Sequence, residues 1–182
     1  MNRCKWVNLN NKKYIEYHDN EWGVPVYDDQ KLFEMLLLES FQAGLSWECI
    51  LNKRDYFKEA FDNYNPNIII KYNEEKINEL LSNKNIIRNR RKIEATINNA
   101  KIFLKIKKEY GSFSNYIWHF TNGKIIKNTN DSFQTTSPLS DTISNDLKKR
   151  GMKFVGSTII YSYLQAIGII NDHELNCFKH NI

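Results

Sequence analysis

Residues that interrupt helices are scarce in this chain, with seven glycines and three prolines among 182 residues. Alternating apolar and polar runs are also missing, which argues against a β-rich fold and for a mostly α-helical one. No apolar run approaches the roughly 18 residues that a membrane-crossing helix needs. The opening residues MNRCKWVNLN carry no signal-peptide core. A cytoplasmic protein without membrane contact is therefore expected. Three cysteines are an odd number, unsuited to a disulfide framework and better matched to a reducing compartment. No internal repeat at solenoid spacing is visible. The length suits a single functional unit over residues 1–182, built as one domain or two small helical lobes.

Against this background, four soft or borderline metal ligands stand at the two ends: Cys4 and His18 near the start, His173 and Cys177 near the finish. Two thiols and two imidazoles suffice for a closed tetrahedral zinc site, which implies structure rather than chemistry. The spacing of His173 and Cys177 would put both on one side of a helical turn. The plain alternative is two unrelated cysteines and two surface histidines. Cys49 reads as a small buried hydrophobe.

The net charge is +5, unevenly spread. Nine basic residues against Glu94 make the segment from Lys84 to Lys108 +8, leaving −3 for the remainder. Such a stripe is what a phosphate-backbone binder carries, and equally what a solvated helix face carries. Helical periodicity predicts helices near 29–42, 45–61, 66–71, 74–82, 87–109, 112–119, 140–150, 156–168 and 171–177. Ser140 is a candidate N-cap, and Gly151 follows the basic turn Lys148-Lys149-Arg150 as a helix-terminating residue. The polar stretch from Asn122 to Pro138 reads as a long loop or an irregular connection between lobes.

The helix near 30–42 contains the most informative residue. At 100° per residue Glu39 lies within about 20° of Leu32, inside the apolar face, whereas Glu34 lies about 160° away and reads as a solvated charge. A carboxylate in an apolar stripe must find a partner or accept a raised pKa. It is either a structural carboxylate or part of a site. Trp6, Tyr17, Trp22 and Trp47 also fall in the first 50 residues. Aromatic faces around one carboxylate suit a flat cationic ring with N–H donors, such as a nucleobase. A tryptophan-rich core is the alternative.

The words around these residues are recognisable. Arg3-Cys4-x-Trp6, Tyr17-His18-Asp19-Asn20-Glu21-Trp22-Gly23-Val24-Pro25 and Gln42-Ala43-Gly44-Leu45-Ser46-Trp47 closely resemble the 3-methyladenine DNA glycosylase I family. Ile86-Ile87-Arg88-Asn89-Arg90 with Lys92-Ile93, the block from Lys148 to Gly156, and Asn171-Asp172-His173 with Cys177 continue the resemblance in order. It implies an all-helical helix-hairpin-helix glycosylase that hydrolyses the bond to 3-methyladenine in alkylated double-stranded DNA. It also implies one zinc ion on Cys4, His18, His173 and Cys177, with no organic cofactor. The flipped base would be held by Glu39, as the group acting in catalysis, and by Tyr17, with Trp47 and Trp6 as stacking walls and Trp22 as lining. DNA contacts would come from a Gly44-Leu45 wedge, from Arg88 and Arg90, and from Gly151, Lys153 and Gly156 in the hairpin. A monomer is implied as well.

Two departures stand out: the spacer between Cys4 and His18 is one residue longer than the family pattern, and Asn85 stands where a glycine is expected, inviting a left-handed turn. Asp172, beside a zinc ligand, is read as structural. Two rivals stay open: a glycosylase that also cleaves the strand through a lysine Schiff base, and a zinc-stapled helical module that binds DNA without catalysis.

Overall fold

The computed structural model describes residues 1–129 and 134–181. Its helices are α1 (Lys12–Asn20), α2 (Asp29–Gln42), α3 (Trp47–Asn52), α4 (Arg54–Ala60), α5 (Pro66–Ile69), α6 (Glu74–Ser82), α7 (Arg90–Tyr110), α8 (Phe113–His119), α9 (Pro138–Lys149) and α10 (Ser157–Ala166). A single 3-10 turn, Asp62–Tyr64, precedes α5. Two strands of two residues each, β1 (Ile126–Lys127) and β2 (Ile170–Asn171), pair in parallel with Ile126 opposite Ile170. The all-α expectation holds, with this small ribbon as its exception. No described helix is long and apolar enough to cross a membrane.

The organising element is α2. From Met35 to Phe41 every residue is buried, and the helix packs against α3, α7, α8 and α10. A helix apolar around its whole circumference belongs in the centre of a bundle. Glu39 is carried into that centre by its neighbours.

Its N-terminus is capped by the Asp28 side chain, which accepts from the Lys31 amide, and Asp29 pairs with Lys107 of α7 at 3.0 Å. Glu34 is not the solvated charge that its helical position predicts. Arg54 reaches it at 2.7 Å while also gripping Glu21, so that α1, α2 and α4 are joined by one half-buried network.

Several predicted boundaries move. The segment 45–61 divides at Lys53, whose backbone at φ −99°, ψ 0° leaves the helical region and separates α3 from α4. Helix α1 was not expected, since its nine residues are largely polar and bury only Tyr17 and His18. Ser140 is not the N-cap of α9 but the third helical residue of a capping box begun by Ser137. The predicted helix at 171–177 is replaced by β2 and turns. Asn85 does not adopt a left-handed backbone; its amide donates to the Asn83 side chain at 2.9 Å, closing the turn locally. Of the predicted irregular stretch, 130–133 lies outside the described residues, and its earlier part forms β1.

Gly168 fixes how the ends of the bundle meet. Its φ is +72°, and a Cβ there would sit 2.3 Å from the carbonyl carbon of Val24. Only glycine allows the segment 23–26 to lie against the end of α10, where the Gly23 and Val26 amides donate to Gln165 and Ile167. This contact brings the N-terminal third beside the C-terminal tail.

Candidate active site and metal centre

Where those two ends converge, a cavity of about 310 Å³ opens, within the range of small-molecule sites. Its walls include Trp6, Tyr14, Tyr17, Trp22 and Trp47, with Glu39 among them. Trp6 meets the ring of Trp22 edge-on at 4.8 Å, and Tyr17 lies 5.2 Å from Trp47. The sequence-predicted pocket residues are thus all assembled in one place. Tyr17 rides on α1, Glu39 on the buried centre of α2, and Trp47 opens α3, whose N-cap Ser46 accepts from the Cys49 amide.

Two buried polar atoms in this wall lack a partner among the described residues: Glu39 Oε2 and Trp47 Nε1. Glu39 is 3% exposed, and burial pushes its carboxyl up to about 8. Burial therefore favours the neutral acid over the carboxylate. Burial, and then the Glu39 charge, push the Tyr17 hydroxyl well above its ordinary range, so it remains a neutral phenol. One unpaired acidic group and one unpaired indole N–H cost stability unless something fills their hydrogen bonds. The arrangement suits a flat ring carrying N–H donors and positive charge.

The cavity shares His173 with the second feature. Cys4, His18, His173 and Cys177 are all buried, and their ligand atoms lie within 4.8 Å of one another. Cys177 Sγ is 3.4 Å from both His18 Nε2 and His173 Nδ1, and Cys4 Sγ is 3.5 Å from His173 Nδ1. Tetrahedral bonds of ordinary zinc length would place sulfur and nitrogen about 3.5 Å apart.

The other imidazole nitrogens are already engaged. His18 Nδ1 donates to Asp19 at 2.8 Å, and His173 Nε2 donates to the Trp22 carbonyl at 3.2 Å. Each ring is left with a lone pair facing the cluster. Asp19 is in turn held by Arg3, which keeps its carboxyl below the usual range. Backbone amides of Glu174 and Lys179 point at the two sulfurs. Burial pushes the Cys4 thiol up to about 12 and His173 down to about 4. The residues fit a metal ion and could hold one. The longer spacer after Cys4 is taken up by turns in which the Asn8 and Asn11 side chains both bind Glu48, so both ligands still converge.

The segment 151–156 links α9 to α10. Gly151, at φ +98°, ends α9 as expected: its amide returns to Lys148 and that of Met152 to Leu147. The carbonyls of Gly151 and Lys153 accept from Asn98 and Asn99, and those of Phe154 and Val155 from Ser40 and Ser144. With four carbonyls drawn inward, the amides of Phe154, Val155 and Gly156 have no acceptor among the described residues. Lys153 is exposed. Exposed too are Gly44 and Leu45, in the turn between α2 and α3.

The basic stripe divides. Arg88 is exposed, but Arg90 is ion-paired with Glu74 at 2.7 Å. Lys92 is buried altogether.

Sequence reasoning missed several cavity residues. Tyr14, one turn before Tyr17, and Gln42, in the recognised block before Trp47, line it together with Ser162, Gln165 and Asp172. Asp172 accepts from Tyr161 at 2.9 Å and from Gln165 at 2.6 Å, as well as from Asn128. Its carboxylate is thus structural in its bonding, yet it forms cavity wall. Tyr14 could have been found from its spacing to Tyr17; Gln165 and Ser162 carry no sequence signal.

An aromatic cavity lined by a buried acid, with a separate turn at 154–156 whose amides find no acceptor among the described residues, fits the class of base-processing DNA enzymes. Comparison with known proteins narrows this. The family model for methyladenine glycosylase matches residues 6–180. DNA-3-methyladenine glycosylase 1 of Escherichia coli K12 is 43% identical over 180 residues, covering 97% of this chain and 96% of that one. A crystal structure of a 3-methyladenine DNA glycosylase I superposes with a TM-score of 0.94 at 46% identity, covering 98% of this chain and all of the other. The Staphylococcus aureus glycosylase, solved to show its recognition of 3-methyladenine, gives 0.91 at 37% identity over 99% and 97% of the two chains. The chain belongs to the methyladenine glycosylase family, whose members hydrolyse N-glycosidic bonds.

Proposed function

We propose that this chain excises 3-methyladenine from alkylated double-stranded DNA, hydrolysing its N-glycosidic bond without strand cleavage and leaving an abasic site for repair. The observation that carries this reading is Glu39: a buried acid with an unpaired oxygen inside an aromatic cavity. Methylation at N3 makes adenine a cation while it is still attached to the sugar. Its departure as a neutral base is then easy, and the enzyme's task is mainly selection and extrusion.

Selection follows from the raised pKa of the buried Glu39 carboxyl. A permanently cationic base entering beside Glu39 favours the carboxylate, which then accepts from the base's N–H groups. Neutral adenine meets a protonated acid and gains no charge pairing. Trp6 and Trp47 supply faces for the cation, worth about 0.5–2 kcal/mol, while Tyr17 offers a hydroxyl and Trp22 supports Trp6. As the bond between base and C1′ breaks, its electron pair leaves with the base, which becomes neutral, water adds at C1′, and the proton that water loses passes to solvent.

The DNA would be held by the amides of Phe154 and Gly156, which have no acceptor among the described residues, with Lys153 beside them, and by Arg88 on the basic stripe. Arg90 contributes less, because Glu74 already neutralises it. Leu45, beside Gly44, fills the gap left by the extruded nucleotide. The Cys4, His18, His173 and Cys177 cluster holds one zinc ion, whose closed ligand set supplies structure rather than reactivity. We assign a monomer whose cavity lies between two helical lobes.

The reading is tested by release of free base from methylated duplex. The expected result is 3-methyladenine in solution, an intact strand and no borohydride-trapped adduct. Tight DNA binding without any released base would replace this reading with that of a binding module.

A further inference from the structure

Lys92 is 7% exposed, and among the described residues no carboxylate pairs with it. Its ammonium donates to the carbonyls of Phe41 and Ala43, each at 2.7 Å, and lies 5.9 Å from the centre of the Phe154 ring. On its own helix this placement is unfavourable, because Lys92 sits in the first turn of α7, at the positive end of the dipole. The carbonyls it meets are those at the end of α2, the negative end of another helix. Lysine is therefore explained by what it holds, not by the helix that carries it.

What it holds is one end of a four-residue turn. Ala43 is fixed by Lys92, and Ser46 is fixed as the N-cap of α3. Between them Gly44 and Leu45 are exposed, Leu45 at 41%. Within the turn, the Leu45 amide donates to the Gln42 carbonyl. The same ammonium faces the 151–156 hairpin at the Phe154 ring, 5.9 Å from its centre. One buried charge thus joins the two surfaces assigned above to DNA.

We propose that Lys92 is a positioning residue that locks the Gly44-Leu45 turn in the register needed to extrude the nucleotide. The inference rests on the wedge reading of Leu45. It predicts a defect concentrated on extrusion: the ammonium's contacts are Phe41, Ala43 and Phe154, not the cavity walls Glu39, Tyr17 and Trp47, and the turn it holds presents Leu45.

The experiment compares Lys92→Met, Lys92→Gln, Leu45→Ala and the Lys92→Met/Leu45→Ala double variant. Each is assayed on duplex DNA with 3-methyladenine paired to thymine and on the same strand with the lesion opposite an abasic site, where extrusion costs less. Binding of free 3-methyladenine is followed by tryptophan fluorescence, and thermal melting reports the fold. Lys92→Met should lower kcat/KM on the paired duplex by roughly tenfold, the scale of losing hydrogen bonds to a charged group. The loss opposite the abasic site should be much smaller, with free-base affinity unchanged.

Lys92→Gln, keeping a donor, should fall between Lys92→Met and wild type, and the double variant should lose little beyond Leu45→Ala. Equal losses by Lys92→Met on both substrates, or a parallel loss of free-base binding, would overturn the inference. So would a wild-type profile in Lys92→Met when Leu45→Ala is defective. An unaffected Leu45→Ala would instead remove the wedge reading on which the inference stands.

Discussion

The cluster of Cys4, His18, His173 and Cys177 and the aromatic cavity share a wall at His173 but treat their polar atoms in opposite ways. Around the cluster each imidazole nitrogen facing away from it has a partner, each sulfur receives an amide, and Asp19 is itself clamped by Arg3. In the cavity, a buried acid oxygen and an indole N–H have no partner among the described residues. The first region is closed around its own needs, while the second is complete only with a ligand. Structural stability and substrate selection are thereby assigned to adjoining but separable groups.

The largest effect should come from opening the closed region. Cys177→Ala leaves three ligands and should lose the metal, loosen the C-terminal tail and lower Tm by about 10 °C or more. Metal analysis alongside melting checks this, and full metal content in the variant would dissolve the ligand assignment.

In the cavity the test is pH. Glu39 is raised from 4.5 to about 8, so between those values the folded chain keeps a proton that the unfolded chain has lost. Its contribution to stability is fully present below pH 4.5 and fades as pH rises to about 8, by at most about 1.4 kcal/mol per pH unit. Glu39→Gln should flatten that fall, giving a variant that gains stability relative to wild type toward pH 8. Identical slopes in denaturant titrations at several pH values would show that Glu39 is not held protonated.

A smaller effect is expected one shell out from the metal. Asp19→Asn should weaken metal affinity by roughly 10–100-fold while leaving the four ligands in place, as read by competition with a chelator. The smallest effect belongs to the surface. Arg88→Ala should reduce the salt slope of DNA binding by about one, and Arg90→Ala by less because Glu74 already pairs it. Equal slopes for both variants would mean that the ion pair opens on DNA.

This contrast also marks what was legible in the sequence. The ligands Cys4, His18, His173 and Cys177 announced themselves by chemical type, and Glu39 by standing in an apolar stripe. Gly151 was readable because a helix end after basic residues requires a left-handed turn. What was not readable depended on tertiary company. Helix α1 is polar and is helical because Tyr17 and His18 must face inward. Residues 171–177 leave the helix because β2 and its turns bring the ligands together. Glu34 looked solvated until Arg54 arrived from another helix, and Lys92 looked like one charge in a basic stripe. Gln165 and Ser162 reach the cavity only because Gly168 lets α10 lie against the N-terminal segment.

The most direct test of the central claim is the rate of 3-methyladenine release from methylated duplex by Glu39→Gln and wild type at equal metal content. Wild type should release the base, and the folded, metal-loaded variant should be slower by about 100-fold, the scale of a lost charged hydrogen bond together with the desolvated charge it faced. Release at the wild-type rate would contradict the claim, because selection of the cationic base could not then depend on the unpaired acid.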